Sequence, residues 1–443
     1  MTSKTTVALL AFIVLLGLVY FIQSRPDKGE RRGERPRPMA KLVAGTIKRV
    51  TISAKGATVT LERDGPDKTS DQWRLVKPVI YPADKYAASS LAERLEKLEF
   101  GDLVTELRSK HAEYEVDEKS GVHVVVAEGQ KNLADFYIGK VVDDFTMFRV
   151  AGRDQVYTAV GSLRFVFERE LKSWRNRTIF DFKQEEARQL ELSSAEGTIS
   201  LSRPDEKTPW KVSRTTARAD RLDDTLISTL LQTLASLVTF DFADGISLEK
   251  SGLDKPRATL AVKLKSGSSL VLLVGNHTGD DYWVQTKGNP QVFIIKKYTI
   301  DNLMKRPIDF RDKTVLSFKA EEVVGLGIEK TKDKEMVKLT RKGDDWLKEG
   351  KKITDASKVK TALEALSALK AEGFAKFTAD ELGLKNPDWK VEIQLKDRTK
   401  HLLTIGSVEK DSIYGLMRKG APEIFTFRKH TLDRFLLDPK NLK

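Results

Sequence analysis

Apolar and polar residues alternate in short runs that switch period at one recurring place along the chain. Leu190-Glu-Leu192 and Thr198-Ile-Ser-Leu-Ser202 put every second residue on an apolar face, the period of a half-buried strand. Trp210-Lys-Val212 reads as a third strand. The period then lengthens: Ile227, Leu230, Leu231, Leu234 and Leu237 share one face of a helix that begins after Asp220, a residue suited to cap it. Gly252-Leu-Asp-Lys-Pro256 marks a turn, and Thr259–Leu264 returns to alternation. A polar turn and a strand ending at Gly275 follow. Tyr282–Gln285 and Gln291–Ile295 are two more strands, and a short helix around Ile300–Lys305 closes the series. Strands joined by tight polar turns predict antiparallel hairpins.

The same order occurs three times. Trp73, Trp210 and Trp346 are 137 and 136 residues apart, and Gly139, Gly275 and Gly406 are 136 and 131 apart. Arg175-Asn-Arg-Thr-Ile-Phe-Asp-Phe-Lys183 is answered 136 residues later by Arg311-Asp-Lys-Thr-Val-Leu-Ser-Phe-Lys319. Capped helices recur at Asp84 (Leu91, Leu95, Leu98) and Asp355 (Val359, Leu363, Leu366, Leu369). Gly383-Leu-Lys-Asn-Pro387 repeats the turn, whereas the first copy has Tyr114-Glu-Val-Asp117 in its place. Solenoid and propeller units run to about 50 residues, so each copy is expected to be a domain with its own core. The predicted fold is α+β: three tandem repeats of a mainly antiparallel sheet of about seven or eight strands with two helices each, spanning 45–182, 183–318 and 319–443.

Residues 6–22 (TVALLAFIVLLGLVYFI) form an uncharged apolar run long enough for one spanning helix, and no small-x-small cleavage site follows. Residues 1–24 are therefore expected to be an uncleaved transmembrane anchor. Residues 25–44 read as a basic Pro/Gly linker, with seven Lys/Arg against three Asp/Glu between Arg25 and Lys41. The positive-inside rule by itself would hold the domains in the cytoplasm. The very short N-terminal tail favours retention of that tail inside, which places the domains outside the cytoplasm. The expected location is the inner membrane, single-pass, with the C-terminal domains periplasmic.

Net charge is +13 over 443 residues, and beyond the linker both signs are interspersed. No nucleic-acid-binding signature accompanies it, so no nucleic-acid partner is expected; an anionic lipid or glycan suits the charge better. The chain has no cysteine, which excludes disulfides, thiol nucleophiles and thiolate metal sites. Phosphate-binding Gly-x4-Gly-Lys, Gly-x-Ser-x-Gly and His-Glu-x-x-His are absent from the sequence, and the five histidines show no metal-ligand spacing. No cofactor, metal or catalytic residue is assigned, and the chain is expected not to be an enzyme.

The densest chemistry is Gly275-Asn-His-Thr-Gly-Asp-Asp281. There His277, Asp280 and Asp281 are a candidate ligand or ion loop, although Gly, Asn and Asp are equally what a turn requires. The repeated tryptophans Trp73, Trp210 and Trp346 are expected in the cores rather than as sugar platforms. Arg175 and Arg311 are expected to set the angle between neighbouring copies.

Trp73–Lys85, Gly252–Pro256, Val274-Gly275 and Arg311–Phe318 together resemble an uncharacterised bacterial repeat domain. That domain occurs on single-pass membrane proteins encoded beside gliding-motility-type ABC transporter permease and auxiliary subunits. The resemblance covers residues 45–443 and implies a membrane-tethered accessory protein outside the cytoplasm, with those transporter subunits as partners. It supplies no catalytic residues. The first copy lacks Gly-Leu-x-x-Pro and the third lacks the terminal Arg-x-Lys-Thr, so the copies are not expected to be equivalent in function.

Overall fold

A computed structural model of the chain describes residues 37–63, 72–218, 221–407, 413–420 and 423–437. The apolar run 6–22 lies outside them, as does Asp220. Among the described residues no helix is long and apolar enough to cross a membrane.

The described residues hold three antiparallel sheets, of nine, eight and nine strands. The first contains β1 (Arg49–Ala54), β2 (Ala57–Arg63), β3 (Trp73–Lys77), β4 (Tyr81–Pro82), β5 (Phe100–Thr105), β6 (Val122–Glu128), β7 (Lys131–Val142), β8 (Phe145–Val150) and β9 (Val156–Val160). Their order is β4-β3-β2-β1-β6-β7-β8-β9-β5. The second contains β10 (Ala187–Ser194), β11 (Gly197–Ser202), β12 (Lys211–Thr215), β13 (Asp241–Phe242), β14 (Ala258–Leu264), β15 (Ser269–Thr278), β16 (Asp281–Thr286) and β17 (Val292–Lys296). Here β12-β11-β10-β14-β15-β16 follow one another, and β13 pairs with β17 as β5 pairs with β9. The third contains β18 (Val323–Lys330), β19 (Glu335–Lys342), β20 (Asp345–Lys348), β21 (Lys351–Lys352), β22 (Gly373–Phe374), β23 (Trp389–Leu395), β24 (Lys400–Ser407), β25 (Ile413–Arg418) and β26 (Ile424–Arg428), in the order β21-β20-β19-β18-β23-β24-β25-β26-β22.

Register follows the alternation. Leu190 lies opposite Leu201 and Val262, and Leu192 opposite Ile199 and Leu260, so one face of each strand is apolar and buried. The long helices Lys85–Glu96, Asp224–Ala235 and Ser357–Ser367 bury the residues their spacing selects, among them Leu91 and Leu95, Ile227 and Leu231, Val359 and Leu363. Asp84 caps the first, accepting from Ala87 N–H at 2.8 Å. In the second copy Asp223 does this work, accepting from Leu226 N–H at 3.0 Å. Short helices Leu163–Phe167, Lys297–Leu303 and Lys429–Leu432 follow the last long strand of each sheet.

By contacts the chain divides into two compact units. One takes the described residues through Asp181 together with 236–246 and 290–296. The other takes 182–235, 247–289 and residues from 297 onward. Arg175–Asp181 and the second-copy strands β13 and β17 therefore share a unit.

The marker glycines have a steric cause. A Cβ on Gly139, Gly275 or Gly406 would lie 2.2, 2.1 or 2.0 Å from the carbonyl oxygen of Tyr114, Ser251 or Leu382. The segment pressing on the glycine turns through the left-handed region at the next residue: Gly252 (φ 69°), Gly383 (φ 65°) and, in the first copy, Glu115 (φ 55°). Tyr114–Asp117 thus performs the Gly-Leu-x-x-Pro turn without its glycine, and Val116 is buried as Leu253 and Leu384 are.

Candidate functional site

His277, Asp280 and Asp281 lie at the tip of the β15–β16 hairpin, where Thr278 pairs with Asp281 and Gly279 takes φ 55°. His277 and Asp280 are exposed, the imidazole tilts against Tyr282 at 5.1 Å, and the Asp280 carbonyl accepts from Lys297 N–H at 2.8 Å. Gly-Asp here closes a two-residue turn. Among the described residues no cluster of three or more His, Asp or Glu is placed to hold a metal ion.

A histidine–carboxylate pair that the sequence did not single out sits in the first copy. His123 Nε2 is 2.7 Å from Asp135 Oδ1, and its ring stacks on Tyr137 at 4.6 Å. Arg149 covers the other part of this group, 4.4 Å from the Tyr137 ring, and donates from Nε to Val116 O at 2.8 Å. Burial first, and the Glu118 charge second, push the Tyr137 phenol above its ordinary range. Ser53 pairs with His123 across the β1–β6 ladder, but its hydroxyl is hydrogen-bonded to Thr58 at 2.9 Å. Strand register alone juxtaposes these groups; no spacing in the sequence reveals them.

Two of the repeated tryptophans are core residues: Trp73 is 4 % and Trp346 7 % exposed. Trp210 departs from the expectation. It is half-buried, with the Arg203 guanidinium 4.7 Å from its ring. Strands β4 and β21 cover the strands that carry Trp73 and Trp346, whereas β12 ends its sheet among the described residues. Trp174 and, 136 residues later, Phe310 are buried directly ahead of Arg175 and Arg311, a correspondence that the change of residue type hides in the sequence.

The junction arginines are the most developed polar constellation. Arg175 is 2 % exposed. Its guanidinium lies 4.4 Å from the Tyr81 ring and 3.6 Å from that of Phe242, donates to Asp244 Oδ2 at 2.7 Å, and donates to Gln291 Oε1 at 2.8 Å. The Gln291 amide turns back onto Asp244 Oδ1 at 3.2 Å, closing the triangle. Arg311 repeats the arrangement on the third copy, with Phe374 at 3.6 Å and Glu423 at 3.4 Å. A planar guanidinium over an aromatic face with a carboxylate at its edge is a geometry lysine cannot reproduce.

The backbone around each arginine is bonded on both sides. Asn176 N–H donates to Pro82 O and Thr239 N–H to Arg177 O; Asp312 N–H donates to Arg221 O and Ala371 N–H to Lys313 O, all at 2.8 or 2.9 Å. Ile179 and Val315 N–H donate to Leu237 and Leu369 O, both at 2.8 Å. Each segment is therefore a strap from one copy seated on the next. The arrangement can bind and hold an extended chain; it presents no reactive group.

A family model described as DUF4340, a domain of unknown function, matches residues 73–256 and again 240–387. No curated protein matches the chain. Among solved structures, one assigned as a DNA polymerase III beta subunit from Eubacterium rectale is similar at 8% identity, over 89% of this chain and 93% of the other, with a TM-score of 0.13. A likeness of that size carries no argument.

Proposed function

The chain belongs to the DUF4340 family, and on that premise we propose that it is a non-enzymatic, membrane-anchored accessory protein of an envelope ABC transporter system. It acts outside the cytoplasm as a binding or scaffold module, anchored through residues 6–22 in the inner membrane. The observation that carries the reading is the use of the recurring polar residues: Arg175 and Arg311 hold one copy onto the next. Tandem copies linked in this way offer repeated binding surfaces to the permease or auxiliary subunits. Two fusions after Lys443 test the arrangement, one to a reporter active only outside the cytoplasm and one to a reporter active only inside. Activity of the first alone is expected; activity of the second alone overturns the location and with it the function.

A second reading, a binding module for an anionic glycan or lipid, is favoured by one feature, the half-buried Trp210 with Arg203 over its ring. Saturable micromolar binding of the detergent-solubilised chain to anionic vesicles or an acidic glycan, abolished by Trp210→Ala, would replace the first reading with this one.

A further inference from the structure

The segments that lead into the three copies are not seated alike. Short helical turns open the copies at Ala44–Thr46, Gln184–Glu186 and Ala320–Glu322. Four residues ahead of those turns stand Ala40, Phe180 and Leu316. Phe180 and Leu316 are buried, whereas Ala40 is exposed. The residue that receives them lies two past the end of each long helix: Leu98, Leu237 and Leu369. Ile179 and Phe180 N–H donate to Leu237 O at 2.8 and 3.2 Å, and Val315 and Leu316 N–H donate to Leu369 O at 2.8 and 3.3 Å. Among the described residues no backbone hydrogen bond of this kind joins residues 39–42 to Leu98. Leu98 is only half-buried, while Leu237 and Leu369 are each 3 % exposed.

In place of that contact the first copy has a cleft of about 850 Å³ between residues 37–42 and 95–100. Leu95, Leu98 and Phe100 supply its apolar lining, and Arg37, Lys41 and Lys97 line it together with Glu96 and Glu99. Pro38, which has no N–H, stands where Thr178 and Thr314 bridge to Val238 and Lys370. Its carbonyl accepts from Arg153 Nη1 at 3.0 Å. The segment is thus held by Arg153 instead of the helix end, with a small residue where the other copies insert a large one. Ligand sites occupy about 300–1,000 Å³, so the space is ample for a guest.

We propose that this cleft binds an extended segment of a partner protein, which inserts a large apolar side chain where the other copies place Phe180 and Leu316. The chemistry of the occupant is read from those copies, in which the same place is the interface between strap and helix end. Arg177 and Asp181 flank Phe180 there, charges of both signs that match the acids and bases lining the cleft. Leu98 O is the acceptor for the segment's N–H, as Leu237 O is for Phe180. The site is independent of the transporter reading, since it asks only for an exposed segment of this pattern on a neighbouring chain.

A labelled peptide with the sequence of residues 177–183, Arg-Thr-Ile-Phe-Asp-Phe-Lys, tests this by fluorescence anisotropy on the full chain in lipid nanodiscs. Saturable binding is expected, and none with a scrambled peptide. Phe180→Ala in the peptide should weaken binding about 10- to 100-fold, the worth of burying one large apolar side chain. Ala40→Phe, which fills the cleft from within, and Leu98→Glu, which charges its floor, should each weaken binding at least about 10-fold. Ala40→Phe should also raise Tm. It introduces only what another copy carries at that place, so it decides the matter even if Leu98→Glu does not fold. No saturable binding, or binding unchanged by Ala40→Phe, overturns the proposal. A dimer of the wild-type chain that Ala40→Phe dissociates would assign the cleft to a second copy of the chain and also overturn it.

Discussion

At the scale of single residues, the cost of removing Arg175 follows from what it leaves behind. Arg175→Ala opens a space between Tyr81 and Phe242 and strips Asp244 of its partner. Breaking a buried pair costs about 3–5 kcal/mol, and the half-exposed Asp244 can rehydrate, so about 3 kcal/mol is expected. Arg175→Lys should recover only part of it, because the ammonium cannot stack between two rings while holding Asp244 and Gln291. A denaturant midpoint within experimental error of wild type for Arg175→Ala would remove the clamp from the account. His401 gives a pH signature. Its ring stacks on Phe318 at 5.7 Å, and burial, followed by the Arg418 charge, depresses its pKa below the usual value. Its folded pKa being the lower one, its contribution is fully present above about pH 6.5 and is lost as pH falls through the folded value. In His401→Gln the fall of Tm with acidification below about pH 6.5 should flatten; an unchanged slope assigns the pH dependence elsewhere. The arginines were legible in the sequence as a repeated pair at the junctions. Their partners were not, because Phe242, Asp244 and Gln291 converge only through strand pairing across about fifty residues of chain.

At the scale of elements, the marker glycines make the sharpest steric prediction. Gly275→Ala places a methyl 2.1 Å from a backbone carbonyl that cannot yield without moving the whole turn. Overpacking of this kind costs about 1–3 kcal/mol and here should reach the upper end. Gly327→Ala, in β18 with its nearest neighbour at 3.6 Å, is the control and should be near neutral. Equal stability of the two variants would mean that the turn does not press on the strand. The tryptophans separate in the same way. Trp73→Ala should cost about 3–5 kcal/mol, whereas Trp210→Ala should cost about 1–2 kcal/mol, the loss of a half-buried cation–π contact. Melting temperatures of the two variants decide it, and an equal loss would place Trp210 in a core. The long helices, the hairpins and their registers were legible because apolar spacing is set by the face each element buries. Trp210 misled because its position in the repeat is the same as that of Trp73 and Trp346, while it lies just ahead of β12, the last strand of its sheet among the described residues. The left-handed Glu115 hid the first copy's turn, since nothing in Tyr114–Asp117 advertises a positive φ.

At the scale of the whole molecule, the repeat period located three sheets, but a boundary at residue 182 cuts off the strap that the second copy receives. A fragment starting at Arg175 and ending at Phe318 should therefore be more stable than one starting at Lys183, by about the 3 kcal/mol assigned to the clamp. Equal melting temperatures would show that the second copy is indifferent to its strap. Coupling of successive copies is what an accessory scaffold needs if force or position is to pass from an anchor to a partner. The most direct test of the proposed function is recovery of the intact chain from native membranes after cross-linking, with its neighbours identified by mass spectrometry. Enrichment of ABC transporter permease or auxiliary subunits, cross-linked to lysines of residues 45–443, is the predicted result. Recovery of the chain without any transporter subunit, under conditions that preserve transporter complexes, would contradict it.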